Sequence, residues 1–264
     1  MPVYTVSTIY GDVPVTISER GSGRPVLLLH GGAGPDSVTG FADQLAARRP
    51  ARVLTPVHPG FGGTPRPGSL DSISGLASVY GSLLAELGLT GVTVAGSSIG
   101  GWIAADLALA APDRVGRLVL LDAAGLDSAD HPIADFFALT PAEVAELSWA
   151  NPAGHQIDLA AMTDAQRAVF AGNRAALLAY GGQAMADPSL AGRLAGIGAP
   201  TLVIWGEADR MMTPAYGKQY AAAIPSAEFY LMPNAGHLPQ IEAPDALLAL
   251  FEQFTSCGAR RGNA

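Results

Sequence analysis

Short, continuous apolar runs at residues 26–29, 53–57, 92–95, 118–121 and 202–205 alternate with stretches whose apolar residues recur three and four apart. Those stretches span 38–47, 73–87, 99–110, 216–223 and 246–254. The runs have strand length and leave no polar face, as a strand covered on both sides requires, whereas the spaced stretches predict amphipathic helices. Their alternation predicts βαβ units with right-handed crossovers, hence a mostly parallel, twisted sheet with helices on both faces. Ahead of them, alternating residues over 4–10 and 13–19 predict an antiparallel edge hairpin with Gly11-Asp12 as its turn. A further short strand at 228–231 brings the expected sheet to eight strands.

The rhythm breaks once. Roughly 70 residues separate the runs at 118–121 and 202–205, and they look helical with no strand between. They predict a helical cap inserted at about 126–194 into a single α/β domain spanning 1–264. Its best helices are 141–147 and 163–180: Thr140-Pro141 sets an N-cap before proline, and Thr163 precedes Asp164. The stretch 258–264 reads as a frayed tail.

Composition narrows the function classes. A hydrophobic share of 49% against 14% charged residues supplies a sizeable core, and a net charge of −8 without a basic run excludes a nucleic-acid partner. Residues 1–4 lack a basic leader and no run of about 18 apolar residues occurs, so the expectation is a cytoplasmic protein without a membrane partner. Cys257 is the single cysteine and reads as a spare thiol, and the five histidines show no close ligand spacing. Neither a metal site nor a cofactor is expected.

Chemistry concentrates where strands end. The run 92–95 leads into Gly96-Ser97-Ser98-Ile99-Gly100-Gly101 and then a helix, the setting of a Gly-x-Ser-x-Gly nucleophile elbow. The pentapeptide alone is a weak signal; its strand-turn-helix context makes it informative. Ser98 is the expected nucleophile, Ser97 a turn hydroxyl, and the Ile99 amide at the helix start an oxyanion donor. A second donor is expected from His30-Gly31-Gly32-Ala33-Gly34 after the third strand, from Gly32 or Ala33 with Gly32 favoured; His30 is expected to shape that loop.

A serine hydroxyl needs a base, and His237 in Gly236-His237-Leu238-Pro239 is the only histidine late enough to follow the acid. Glu207 and Asp209, after the run 202–205, can both orient it, and Asp122 at the end of 118–121 is an earlier rival with a capping role as its plainer reading.

Taken together, His30-Gly31-Gly32, Gly96 to Gly101, Gly206 to Asp209 and Gly236-His237 resemble the α/β-hydrolase superfamily in order, identity and spacing, over nearly the whole chain. Pro59-Gly60-Phe61-Gly62-Gly63-Thr64 is similar to its Pro-Gly-x-Gly-x-Ser loop, with His58 where many members have aspartate. Pro112-Asp113-Arg114-Val115 fits as well. The resemblance implies Asp209 as the acid, because aspartate three residues after the glycine turn matches the usual position. It also implies a serine hydrolase working through an acyl-enzyme. Haloalkane dehalogenases and epoxide hydrolases of the superfamily use an aspartate nucleophile, which this elbow does not offer. The motif order and cap also resemble the carbon–carbon bond hydrolases of aromatic-ring breakdown, yet those generally carry tryptophan after the histidine, where this chain has Leu238.

The leading expectation is therefore a carboxylic-ester or lactone hydrolase, with carbon–carbon bond hydrolysis and a silent small-molecule-binding scaffold as alternatives. Perhydrolase side activity would need no further residue. Phe136, Phe137, Trp149 and Phe170, with Met162 and Met185, are expected to wall an apolar pocket for the acyl group, while His131 and His155 receive no role. The partner is a small molecule, and either a monomer or a small homo-oligomer suits the composition.

Overall fold

The computed structural model describes residues 1–256; Cys257 and the stretch 258–264 lie outside them. β1 (Val3–Thr8) and β2 (Gly11–Arg20) form the antiparallel hairpin. Thr8 pairs with Gly11, so the turn is Ile9-Tyr10, while Gly11 and Asp12 open β2 instead. Gly11 has φ 88°, so the left-handed residue that suggested a turn completes it from one position beyond.

Then follow β3 (Arg24–Leu29), α1 (Asp36–Arg48), β4 (Ala51–Pro56), α2 (Ile73–Glu86), β5 (Val92–Ser97), α3 (Ile99–Ala110) and β6 (Val115–Leu121). After a long excursion the chain returns as β9 (Thr201–Gly206), α7 (Pro214–Ala222), β10 (Ala227–Met232), the one-turn α8 (Pro239–Glu242) and α9 (Pro244–Ser256). The eight strands form one sheet in the order β1-β2-β4-β3-β5-β6-β9-β10, parallel except for β1 and β2.

The apolar runs are explained by which way successive residues point. Leu27 and Leu29, Leu118 and Leu120, and Val203 and Trp205 face the core under α2, α3 and α7, with Leu83, Ile103 and Tyr216. Their neighbours Val26 and Leu28, Val119 and Leu121, and Leu202 and Ile204 face the opposite core under α1 and α9, with Phe41 and Phe251. Each strand is thus apolar on both sides because a helical layer covers each side.

The excursion between β6 and β9 is only partly helical. It holds β7 (Gly125–Leu126), α4 (Pro141–Ser148), a 3₁₀ turn at Pro152–Gly154, α5 (Asp164–Gly181), β8 (Ala186–Asp187) and α6 (Leu190–Leu194). The expectation of no strand here is corrected by the two-residue pair β7 and β8, which is parallel. Both main helices begin in capping boxes, Thr140 with Glu143 and Thr163 with Gln166, each side chain satisfying the other's exposed amide. Arg193 of α6 ties the far end down, reaching the buried Asp106 of α3 and Asp187 of β8, each at 2.6 Å.

Candidate active site

Ser98 sits between β5 and α3 at φ 55°, ψ −120°, a conformation a non-glycine residue rarely holds. The flanking glycines make the turn fit. A Cβ on Gly96 would lie 2.1 Å from the Gly100 carbonyl oxygen, and one on Gly100 would lie 2.4 Å from the carbonyl oxygens of Leu29 and His30. Strand, turn and helix therefore interlock at backbone distance, and Ser98 is left half-buried at the floor of a cavity while Ser97 and Ile99 are buried. Ile99 is the first residue of α3, whose leading amides have no intrahelical acceptor.

The cavity, about 440 Å³, is lined by Ser98, His237 and the loop Gly31-Gly32-Ala33 on the sheet side. His237 Nδ1 lies 2.8 Å from Asp209 Oδ2. Asp209 in turn accepts the amides of Met211 and Met212 at 2.8 and 3.0 Å and is buried, whereas Glu207 is exposed. Asp122 stands beside this pair, its carboxyl oxygen within 4.8 Å of the Asp209 and His237 donor atoms. As a metal set the three fit poorly, because the His237 nitrogen that faces Asp209 makes a hydrogen bond to it there.

A buried pair of histidines supports the Gly31-Gly32 loop from below. The His58 amide donates to His30 Nε2 at 3.1 Å, so the His30 proton is on Nδ1, which donates to the Gly31 carbonyl at 2.8 Å. His58 Nε2–H donates to the His30 carbonyl at 3.0 Å, leaving Nδ1 to accept the Tyr80 hydroxyl at 2.5 Å. Burial holds both imidazoles neutral, His30 at about 4 and His58 well below 6.5, with His30 adding to the effect on His58.

The opposite wall comes from the β6–β9 excursion. Of the aromatic residues expected there, Phe136, Trp149 and Phe170 line the cavity. Phe137 does not: it stands edge-on to Phe136 at 5.4 Å and packs against the core, with Arg174 over its ring. Met185 lines the cavity and Met162 does not. His155 also lines it, stacked flat on Trp149 at 3.6 Å.

Sequence reasoning missed the residues that join the two walls. The His237 amide donates to the Ser148 carbonyl at 2.6 Å, and the Arg210 amide to that of Leu147 at 2.9 Å. The Glu242 carboxylate accepts the amides of Gly236 at 2.6 Å and Ala150 at 2.9 Å. Backbone partners carry no sequence signature, and only Glu242 was visible as a charge close after the histidine. Ile157, Leu159 and Arg174 were also missed as lining residues; the first two lie in a loop without periodicity, and Arg174 is a charge on the face of α5 that carries Phe170 and Leu177.

Comparison with known proteins agrees with this fold. Residues 24–244 match the model of the alpha/beta hydrolase fold family. The 2-hydroxymuconate semialdehyde hydrolase of Pseudomonas putida is 30% identical over 269 residues, covering 90% of this chain and 89% of that protein. The pimeloyl-[acyl-carrier protein] methyl ester esterase of Aromatoleum aromaticum is 31% identical over 251 residues, covering 87% and 97%. Among solved structures, a thermophilic esterase from Thermogutta terrifontis superposes with a TM-score of 0.78 over 97% of this chain and 99% of that one, at 22% identity, a likeness of fold. No described helix is long and apolar enough to cross a membrane.

Proposed function

Since the chain belongs to the α/β-hydrolase fold family and is a hydrolase, we propose that it cleaves a carboxylic ester or lactone with an apolar acyl group. The observation that carries this reading is the shared cavity: Ser98 at a strained apex, opposite a histidine held at 2.8 Å by a buried aspartate.

On this reading Ser98 Oγ attacks the carbonyl carbon while His237 Nε2 takes its proton, and Asp209 stabilises the imidazolium through Nδ1–H. The Ile99 and Gly32 amides receive the negative oxygen. Collapse breaks the acyl–oxygen bond, and His237 returns its proton to the departing alkoxide. Water, deprotonated by the same imidazole, then attacks the acyl-enzyme and releases the acid and Ser98. No cofactor takes part in these steps. Residues 126–194 act as the cap that holds the acyl group, supported by Phe136, Trp149 and Phe170 on the cavity wall.

Carbon–carbon bond hydrolysis is the second reading, favoured by the identity to the Pseudomonas putida hydrolase and by Arg174. That residue lines the cavity with its guanidinium held by the Phe137 carbonyl at 2.7 Å, and it makes no ion pair among the described residues, so its charge suits an acidic substrate.

The test is turnover of p-nitrophenyl esters of graded acyl length, lactones and a vinylogous diketone by wild type and Ser98→Ala, with fluorophosphonate labelling alongside. Ester or lactone turnover lost in Ser98→Ala supports the first reading, and turnover of the diketone alone supports the second. A folded wild type that neither turns over nor labels at Ser98 sinks both.

A further inference from the structure

The steps above leave one buried carboxyl at the site unused. Asp122 directly follows β6 with φ 44° and is fully buried. Its Oδ1 accepts the Gly206 amide at 2.8 Å, but its Oδ2, equally buried, meets no hydrogen-bond donor among the described residues. Asp209 is buried next to it, and a carboxyl oxygen of each lies with a ring nitrogen of His237 inside a 4.8 Å cluster.

Two carboxylates this close, both out of water, do not stay ionised together, so one carries a proton. Their partners decide which. Asp209 accepts two amides and the His237 N–H, a donor set that favours the charged form. Asp122 accepts a single amide. The charged groups acting on Asp122 from neighbouring elements are Asp209 after β9 and Glu242 of α8, both negative, and the His237 ring after β10 faces the same cluster. Burial first, then the Asp209 charge, push its carboxyl well above the usual carboxylate range.

We propose that Asp122 is a neutral carboxylic acid at working pH and donates its Oδ2–H to the Asp209 carboxylate, as a positioning residue for the Asp209–His237 pair. The proton supplies the partner that Oδ2 otherwise lacks. It also selects which Asp209 lone pairs remain for His237, and it draws charge from the carboxylate that stabilises the imidazolium in the proposed mechanism. The kinetic part rests on the proposed role of His237, whereas the protonation state does not.

Two arms of the test need no substrate. Infrared difference spectra at neutral pH are expected to show the carbonyl band of a buried protonated carboxylic acid in wild type and not in Asp122→Asn. Asp122→Asn keeps both the acceptor and a donor. Because folded wild type retains a proton that the unfolded chain releases above 3.8, its stability falls as pH rises from that value. The Tm advantage of Asp122→Asn over wild type is therefore expected to grow steadily from pH 4 to pH 8.

The third arm is kinetic. Asp122→Asn should keep kcat within about threefold and leave the acid limb of the kcat/KM profile in place. Asp122→Leu should lose about tenfold in kcat, the size of one hydrogen bond to a charged group, and move that limb to higher pH. Absence of the band, a Tm difference independent of pH, or an acid limb lowered in Asp122→Asn as for a removed negative charge would each overturn the proposal. Failure of wild type to turn over any ester or lactone would sink the ester reading but leave the infrared and stability arms to be judged separately.

Discussion

The two walls of the cavity are built in opposite ways. On the sheet side, α3 is buried around nearly its whole circumference, and Ser98, Asp209 and His237 hang from strand ends packed between two helical layers. On the excursion side, α5 buries only Ala176, Leu177, Tyr180 and Gly181, and Ile157 and Leu159 are 44% and 37% exposed while they line the same cavity. On the proposed mechanism, the reacting groups stand where displacement is costly and the groups that meet the rest of the substrate stand where substitution is cheap, which is the division expected when specificity diverges on a constant chemistry.

The sharpest test of that division is Ser98→Ala. It should reduce kcat by about 10⁴-fold or more while leaving Tm nearly unchanged, read by steady-state kinetics and calorimetry. A similar loss from any single change on the excursion side, with folding intact, would break the comparison.

Next in size is Leu28→Ala, which opens space under α1 and should lower unfolding free energy by about 3 kcal/mol in urea titration. Its effect on kcat should be small.

Acid probes the sheet side through the buried histidines. The unfolded chain protonates His30 below 6.5 and the folded chain only near 4, so its stabilising contribution is complete above 6.5 and lost as pH falls toward 4. For His30 the loss is about 3 kcal/mol, and His58 acts in the same direction. Urea unfolding of Asp122→Asn, which lacks the opposing titration of that carboxyl, at pH 7 and pH 4.5 measures it; equal stabilities there would mean that the loop under the cavity is not held by neutral imidazoles.

The smallest structural effect belongs to Ile157→Ser. It should change stability by no more than about 0.5 kcal/mol yet raise KM about tenfold for long acyl chains while leaving short ones unaffected. A measurable loss of Tm would show that the excursion is not the tolerant half.

The same contrast governs what could be read in the sequence. A strand such as β6 is legible because both its faces are covered, so every residue from Leu118 to Leu121 had to be apolar. The elbow is legible because only glycine tolerates the backbone contacts at positions 96 and 100. Asp209 and Asp122 both follow strands and both are buried; residue type and order could not separate them by themselves, and it is the 2.8 Å contact that places Asp209 on His237. Phe136 and Phe137 are adjacent, chemically identical and both packed against the core, yet only Phe136 also lines the cavity. The two-residue strands β7 and β8 are too short to show any period. Hydrophobic pattern reports burial, and it does not distinguish a wall facing a ligand from one facing protein.

The Ser148 carbonyl that receives the His237 amide, together with Glu242 spanning Gly236 and Ala150, marks a seam along residues 146–150. On the outer side of that seam, from 151 to about 170, the chain makes no hydrogen bond to the loops carrying Ser98, Asp209 or His237 among the described residues. The stretch is in effect an exchangeable module. On the proposed function, loops of other length or composition grafted there should recast which acyl groups are accepted, provided that the five residues of the seam are inherited unchanged.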